Sequence, residues 1–224
     1  SCARGADELA MPRRVVTLFE EYVALHRRLA AEVVARQPTA VVAASAHERA
    51  AEMVQRALSG DQFRVYTHDD VIGVELGGAL KNVIAVATGI AEGLGMGFNA
   101  RAALITRGLA EMTRLGVKMG ASPLTFAGLA GMGDLVLTCT GALSRNRSLG
   151  VEIARGTSRD EALAHRHTVA EGVMTTHSAR ALAAREGVEM PIVSAVYGIL
   201  FEHQPPRAAI GELMRRELRA EGDT

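Results

Sequence analysis

From Leu76 to Ala91 the chain reads LGGALKNVIAVATGIA, and Lys81 is the only charge in it. The pattern predicts a helix over 70–92 in which Val71, Val74, Ala79, Leu80, Val83, Ile84, Val86, Ala87 and Ile90 cover nearly the whole circumference. A helix that is apolar on all sides is one its neighbours bury. An ammonium group there must pair, snorkel to water or line a polar cavity. Two readings of Lys81 follow. It either snorkels from a gap between helices, or serves as a general base with a lowered pKa. Asn82 beside it would orient a bound hydroxyl or carbonyl, or cap a neighbouring loop. Gly77, Gly78 and Gly89 each lower helix stability by roughly 1 kcal/mol relative to Ala, and let another element approach the backbone.

The rest of the chain supplies the neighbours. Leu18, Tyr22, Leu25, Leu29 and Val33 recur at helical spacing and predict a helix over 14–36, ended by Pro38. Residues 39–45 and 63–68 read as short strands on either side of a helix over 47–58, which Ser59 and Gly60 stop. That order is consistent with a single parallel crossover. Past residue 69 only helical patterns remain, at 99–119, 145–155, 159–166, 171–186, 191–203 and 206–219. The predicted breaks are Gly93 to Gly97, Gly120, Gly150, Gly156 and Gly187. The fold expected is mainly α, with a domain boundary near residue 69.

Composition narrows the function classes. Aromatic residues make up 4% of the chain and Trp is missing, so the core must be built from Ala, Val, Leu, Ile and Met in close-packed helices. Formal net charge is zero, which argues against nucleic acid as the main partner. Cys2 and Cys139 make neither a disulfide framework nor a zinc quartet, and suit a reducing cytoplasm. No apolar stretch reads as long and uninterrupted enough to cross a bilayer. Arg13, Arg14, Glu20 and Glu21 interrupt any signal-peptide core. The initial Ser hints at a processed or incomplete product.

A second stretch, GMGDLVLTCTGALSRNR at 131–147, sets a lone Asp134 and a dense polar cluster at the two ends of an apolar run. Ser144 is a candidate N-cap for a helix in which Leu149 and Ile153 fall four apart. Arg145, Asn146 and Arg147 then occupy a first turn, where acidic residues are the usual preference. Positive charge at the positive end of a helix dipole calls for an anion. Backbone N–H groups, a guanidinium fork and an amide together suit a phosphate; the bland alternative is a solvated helix start. Asp134 would bond a ligand's hydroxyls, hold Lys81, or cap a turn. Cys139 reads as a small core residue. His165 and His167 lack a third metal ligand. Gly93 to Gly97 follows a helix instead of a strand, so it fails as a dinucleotide loop.

These residues carry a resemblance. VELGGALKNVIAVATGIAEGLGMGFNARAALITRGLAEM at 74–112, AGLAGMGDLVLTCTGALSRNRSLG at 127–150 and VAEGVMT at 169–175 closely resemble bacterial NAD(P)-dependent glycerol-3-phosphate dehydrogenases, within a match from about 29 to about 219. The resemblance implies an all-helical substrate domain over 69–224, of the 6-phosphogluconate dehydrogenase C-terminal-like kind. A strand–helix–strand remnant of a Rossmann domain over 29–68 would precede it. It implies interconversion of dihydroxyacetone phosphate and sn-glycerol 3-phosphate for phospholipid synthesis, with NADP or NAD as cofactor, in the cytoplasm, with a homodimer possible. It places proton transfer on Lys81, substrate binding on Lys81, Asn82, Asp134, Ser144, Arg145 and Asn146, and cofactor contact on Arg145, Val169 and Glu171.

The match also has an edge. Residues 1–28 resemble nothing in the family, and His26, Arg27 and Arg28 stand where a Gly-Pro-Ser or Gly-Pro-Asn usually contacts ligand. The Gly-rich nucleotide loop and a second functional lysine would belong to a part not seen before residue 29, a pattern that a frameshift would produce. The expectation is that this chain alone binds NAD(P)H weakly or not at all. The alternative reading is a non-catalytic helical module that dimerises or binds a phosphometabolite.

Overall fold

The computed structural model describes residues 39–164 and 171–216. The helix expected over 14–36 lies outside them. The chain divides into two compact units between Asp69 and Asp70.

In the first unit, β1 (Thr39–Ala44) and β2 (Phe63–His68) form a parallel pair with Thr39 opposite Phe63 and Ala44 opposite His68. Between them runs α1 (Glu48–Leu58), whose buried Ala51 and the 2%-exposed Val65 of β2 form the inner side of the crossover. The Gln55 amide donates to the Val65 carbonyl at 2.9 Å, tying helix to strand.

The second unit is helical and is organised around α2 (Val71–Gly93). Asp70 caps it, accepting from Gly73 N at 2.8 Å. The same carboxylate accepts from Ser122 N at 2.9 Å and Thr125 Oγ1 at 2.5 Å, pinning a distant turn to the helix start. Then follow α3 (Phe98–Lys118), α4 (Pro123–Ala127), a π-helical turn (Leu129–Gly133), α5 (Asp134–Thr140) and α6 (Arg145–Ala154). The last are α7 (Arg159–Ala164), α8 (Glu171–Glu186), α9 (Pro191–Phe201) and α10 (Pro206–Met214). Asn82 through Ala91 are all buried, and Met112, Leu115, Phe126, Leu135, Leu149, Val193 and Leu200 pack into the same core.

The mainly α expectation holds, with several corrections. Burial on all sides is true of the second half of α2 only. Over its first three turns the buried positions are Gly73, Gly77 and Leu80, a single face, while Ile72 is 44% exposed and Ala79 is exposed. By length and composition α2 could cross a bilayer, contrary to the sequence reading; its burial among the other helices explains the apolarity instead. Residues 123–140 are helical although no helix was expected there, because each piece is too short to show a period. Gly95, Gly120, Gly156 and Gly187 do end helices with positive φ. Gly150 ends nothing. It lies inside α6, where a side chain would overlap the Val86 carbonyl of α2. Gly77 and Gly89 do admit close neighbours, but a side chain at Gly78 would meet open space.

Candidate active site

Lys81 sits where the single-faced half of α2 gives way to the fully buried half. Its ammonium pairs with the Asp134 carboxylate, the two side chains being 21% and 34% exposed. The lysine therefore neither snorkels alone nor lacks a partner. Local backbone geometry makes the meeting possible. A Cβ at Gly77 would lie 2.7 Å from the Ala130 carbonyl oxygen, so only glycine lets the π-helical turn come this close to α2. Lys81 is four residues on from Gly77, and Asp134 is four residues on from Ala130. One close backbone approach thus aligns the two charged side chains a turn later. Thr138 donates from Oγ1 to the Asp134 carbonyl at 2.6 Å and lies 3.4 Å from Oδ1.

Asn82 starts a second set of bonds. Its Nδ2 donates to Glu171 Oε2 at 3.3 Å and to the Gly78 carbonyl at 3.3 Å. Its Oδ1 accepts from Asn146 Nδ2 at 2.9 Å, and Asn146 Oδ1 accepts from Gly172 N at 2.9 Å. Asn82 and Asn146 are 6% and 7% exposed, so each amide is oriented by partners on two other elements. The alternative of Asn82 as a loop cap is not what the structure shows. Gly172 is glycine for a reason: a Cβ would lie 2.8 Å from Asn146 Oδ1 and 2.9 Å from the Asn82 carbonyl.

Ser144 is the N-cap of α6, its Oγ accepting from Arg147 N at 3.3 Å. Arg145 is exposed on the first turn. Arg147 turns inward instead, and its Nη1 donates to Glu92 Oε1 and Oε2 at 2.7 and 2.6 Å. Glu92 also accepts from Arg101 Nη2 at 2.8 Å. Arg147 above all, through hydrogen bonding, holds the Glu92 carboxyl below its ordinary pKa, with Arg101 and Arg155 adding to the pull against partial burial.

Hydrogen bonds thus join Asp134 to Lys81 and join Asn82, Asn146 and Glu171, with Lys81 and Asn82 adjacent on α2; Ser144 and Arg145 start the helix that carries Asn146. Val169, His165 and His167 lie outside the described residues. Cys139 is buried and its thiol is pushed up to about 11 by desolvation, which makes it a core residue. Among the described residues no group of three His, Cys, Asp or Glu is placed to hold a metal. Glu92 was not singled out in the sequence. Its signal was an acid in the last turn of a helix, where the dipole disfavours it.

Comparison with known proteins puts this arrangement among relatives. The family model for the C-terminus of NAD-dependent glycerol-3-phosphate dehydrogenase matches residues 70–211. The glycerol-3-phosphate dehydrogenase [NAD(P)+] of Citrifermentans bemidjiense is 62% identical over 193 residues, which is 86% of this chain and 58% of that protein. Its counterpart in Staphylococcus haemolyticus is 51% identical over 192 residues, again 86% and 58%. The crystal structure of glycerol-3-phosphate dehydrogenase from Coxiella burnetii superposes with a TM-score of 0.80 at 48% identity, over 84% of this chain and 57% of that one. The chain spans somewhat under two thirds of the length of each of these relatives.

Proposed function

Because the chain belongs to the NAD-dependent glycerol-3-phosphate dehydrogenase family, we propose that its helical unit binds and turns over glycerol 3-phosphate and dihydroxyacetone phosphate. The observation that carries the reading is the bonded network itself: Asp134 to Lys81, and Asn146 and Glu171 to the adjacent Asn82. Seven side chains of the implied constellation, from α2, α5, α6 with its N-cap and the start of α8, lie on one short segment of a core helix, bond to it or sit beside those that do.

In the reductive direction the Lys81 ammonium donates a proton to the carbonyl oxygen as the carbonyl carbon takes up hydride. An N–H bond breaks, an O–H bond forms, and the resulting amine is reprotonated from solvent, which reaches a side chain 21% exposed. Asp134 orients the ammonium and accepts one of its hydrogens. Asn146 gives one N–H to Asn82, leaving its second for a phosphate oxygen. Arg145 and the first N–H groups of α6 supply the remaining donors. Holding the phosphate away from the reacting carbon converts its binding energy into orientation.

NAD or NADP supplies or accepts the hydride when bound. The exposed Glu171 carboxylate and the Arg145 guanidinium suit a dinucleotide's hydroxyl and phosphate groups, and Val169 would join them. A cytoplasmic enzyme, working as a homodimer in the supply of phospholipid backbones, is part of the same proposal.

Calorimetric titration of the chain with glycerol 3-phosphate tests the reading. Saturable binding is expected, weakened on the order of a hundredfold by Arg145→Ala and far less by Lys81→Met. With NADPH and dihydroxyacetone phosphate, any turnover disappears in Lys81→Met. A folded chain that binds no phosphoester would refute the proposal. The alternative, a non-catalytic phosphometabolite-binding module, has no separate observation in its favour.

A further inference from the structure

Glu92 and Arg147 each sit at the end of a helix whose dipole disfavours their charge. Glu92 is in the last turn of α2, where the partial negative charge of the helix end repels an acid. Arg147 is in the first turn of α6, where the partial positive charge repels a base. Each resolves the other's mismatch, because Arg147 Nη1 lies 2.7 and 2.6 Å from the two Glu92 oxygens. The pair is partly shielded from water, with Arg147 14% exposed and Glu92 33%. Arg101 Nη2, at 2.8 Å, holds the carboxylate from a third helix.

Two further bonds of Arg147 reach the turn that precedes α6. Its Nε donates to the Gly141 carbonyl at 3.2 Å, and its backbone N donates to Ser144 Oγ at 3.3 Å. Gly141 O also accepts from Ser144 N at 3.1 Å. On the other side, the Arg147 carbonyl packs so tightly on Gly89 that a Cβ there would overlap it. The residue is clamped at its guanidinium, its carbonyl and its N–H at once.

We propose that Glu92 and Arg147 are positioning residues: Glu92 holds Arg147, and Arg147 holds the turn from Gly141 to Asn146 in the geometry that receives the phosphate of the substrate. This deepens the function proposed above and rests on it. In this arrangement Arg147 is not itself a phosphate ligand, although the sequence places it in the same basic cluster as Arg145. Its guanidinium is engaged by the Glu92 carboxylate and the Gly141 carbonyl, so the phosphate is recognised by Arg145, Asn146 and the N–H groups of α6.

The test compares the wild-type chain with Glu92→Gln, Arg147→Lys and the double variant. Backbone hydrogen exchange over 141–147 is measured without ligand. Affinity for glycerol 3-phosphate follows by calorimetry, and the ³¹P resonance of the bound ester at saturation reports the phosphate's surroundings. Faster exchange confined to the turn is expected in each variant, with protection in α8 and α9 unchanged. Affinity should fall on the order of tenfold in each single variant, the double variant should be no weaker than the worse single, and the ³¹P shift should move. If Arg147 were a direct ligand, Glu92→Gln would release its guanidinium and leave affinity unchanged or higher. That result, or unaltered exchange over the turn, overturns the inference. If the wild type binds no ester while Glu92→Gln still speeds exchange, the proposed function falls and takes the phosphate role with it, by a distinguishable route. Should Glu92→Gln fail to fold, Glu92→Asp keeps the carboxylate, shortens its reach, loosens its hold on an intact Arg147 and gives the same comparison.

Discussion

Glu92 and Glu111 are the same side chain on neighbouring helices of one unit, and their surroundings drive them in opposite directions. Glu92 is a third exposed and faces three guanidinium groups, so its carboxyl is held below the ordinary value, Arg147 contributing most. Glu111 is 3% exposed and bonds to backbone: Ile192 N donates to Oε1 at 2.7 Å and Val193 N to Oε2 at 3.3 Å. Desolvation outweighs those bonds and the more distant pull of Arg114 and Arg216, and raises Glu111 to about 7. A full charge bonded to arginines at an edge stays ionised. A carboxyl sealed under the start of α9 keeps its proton to a higher pH than a solvated one. The difference shows that cationic partners and solvent together, and not hydrogen bonds alone, decide a carboxylate's charge.

The largest expected effect comes from removing Glu111. Glu111→Ala leaves the N–H groups of Ile192 and Val193 buried without an acceptor and opens a cavity beside α3. The melting temperature should drop by roughly 5–10 °C, corresponding to ~3 kcal/mol; an unchanged melt would mean that Glu111 does not cap α9.

A smaller effect is carried by pH. The folded Glu111 pKa lies above its unfolded value, so between about 4.5 and about 7 the native chain holds the extra proton. Its contribution to stability is complete below the unfolded value and is lost as pH rises through about 7. Urea unfolding from pH 4.5 to 8 should show wild-type stability declining more steeply than that of Glu111→Gln, by a few kcal/mol at most. Parallel curves would place Glu111 in a wetter site than the structure does.

Glu92 should show the reverse sign and the smallest change. Its folded pKa is depressed, so its contribution is present above about 4.5 and is lost as pH falls through the lower folded value. As pH falls below about 4.5, wild-type stability should decline more steeply than that of Glu92→Gln, and added salt should narrow the gap, because the pair is partly exposed. A gap indifferent to salt would contradict an electrostatic origin.

Much of the site was legible from local rules. Ser144 caps α6 because a hydroxyl ahead of a helical period accepts from the first turn, which needs no distant partner. Lys81 stood out because a charge within an apolar helix must be answered somewhere. The answer, Asp134, is 53 residues away and was one of three open options. Gly150 misled for the opposite reason. Glycine reads locally as a helix breaker, yet here it is the surface on which α6 meets α2. Glu92 and Glu111 passed unnoticed because an acid on a helix ordinarily faces water.

The sequence by itself determined the helical character of the second unit, the parallel crossover of the first, the cap of α6 and the family to which the chain belongs. These follow from spacing, capping and motif order, all of which act over a few residues. Tertiary structure alone decided which charges meet: Lys81 with Asp134, Arg147 with Glu92, and Glu111 with the backbone of α9. Electrostatic energies depend on distance through space and on excluded water, and neither is set until the helices have packed.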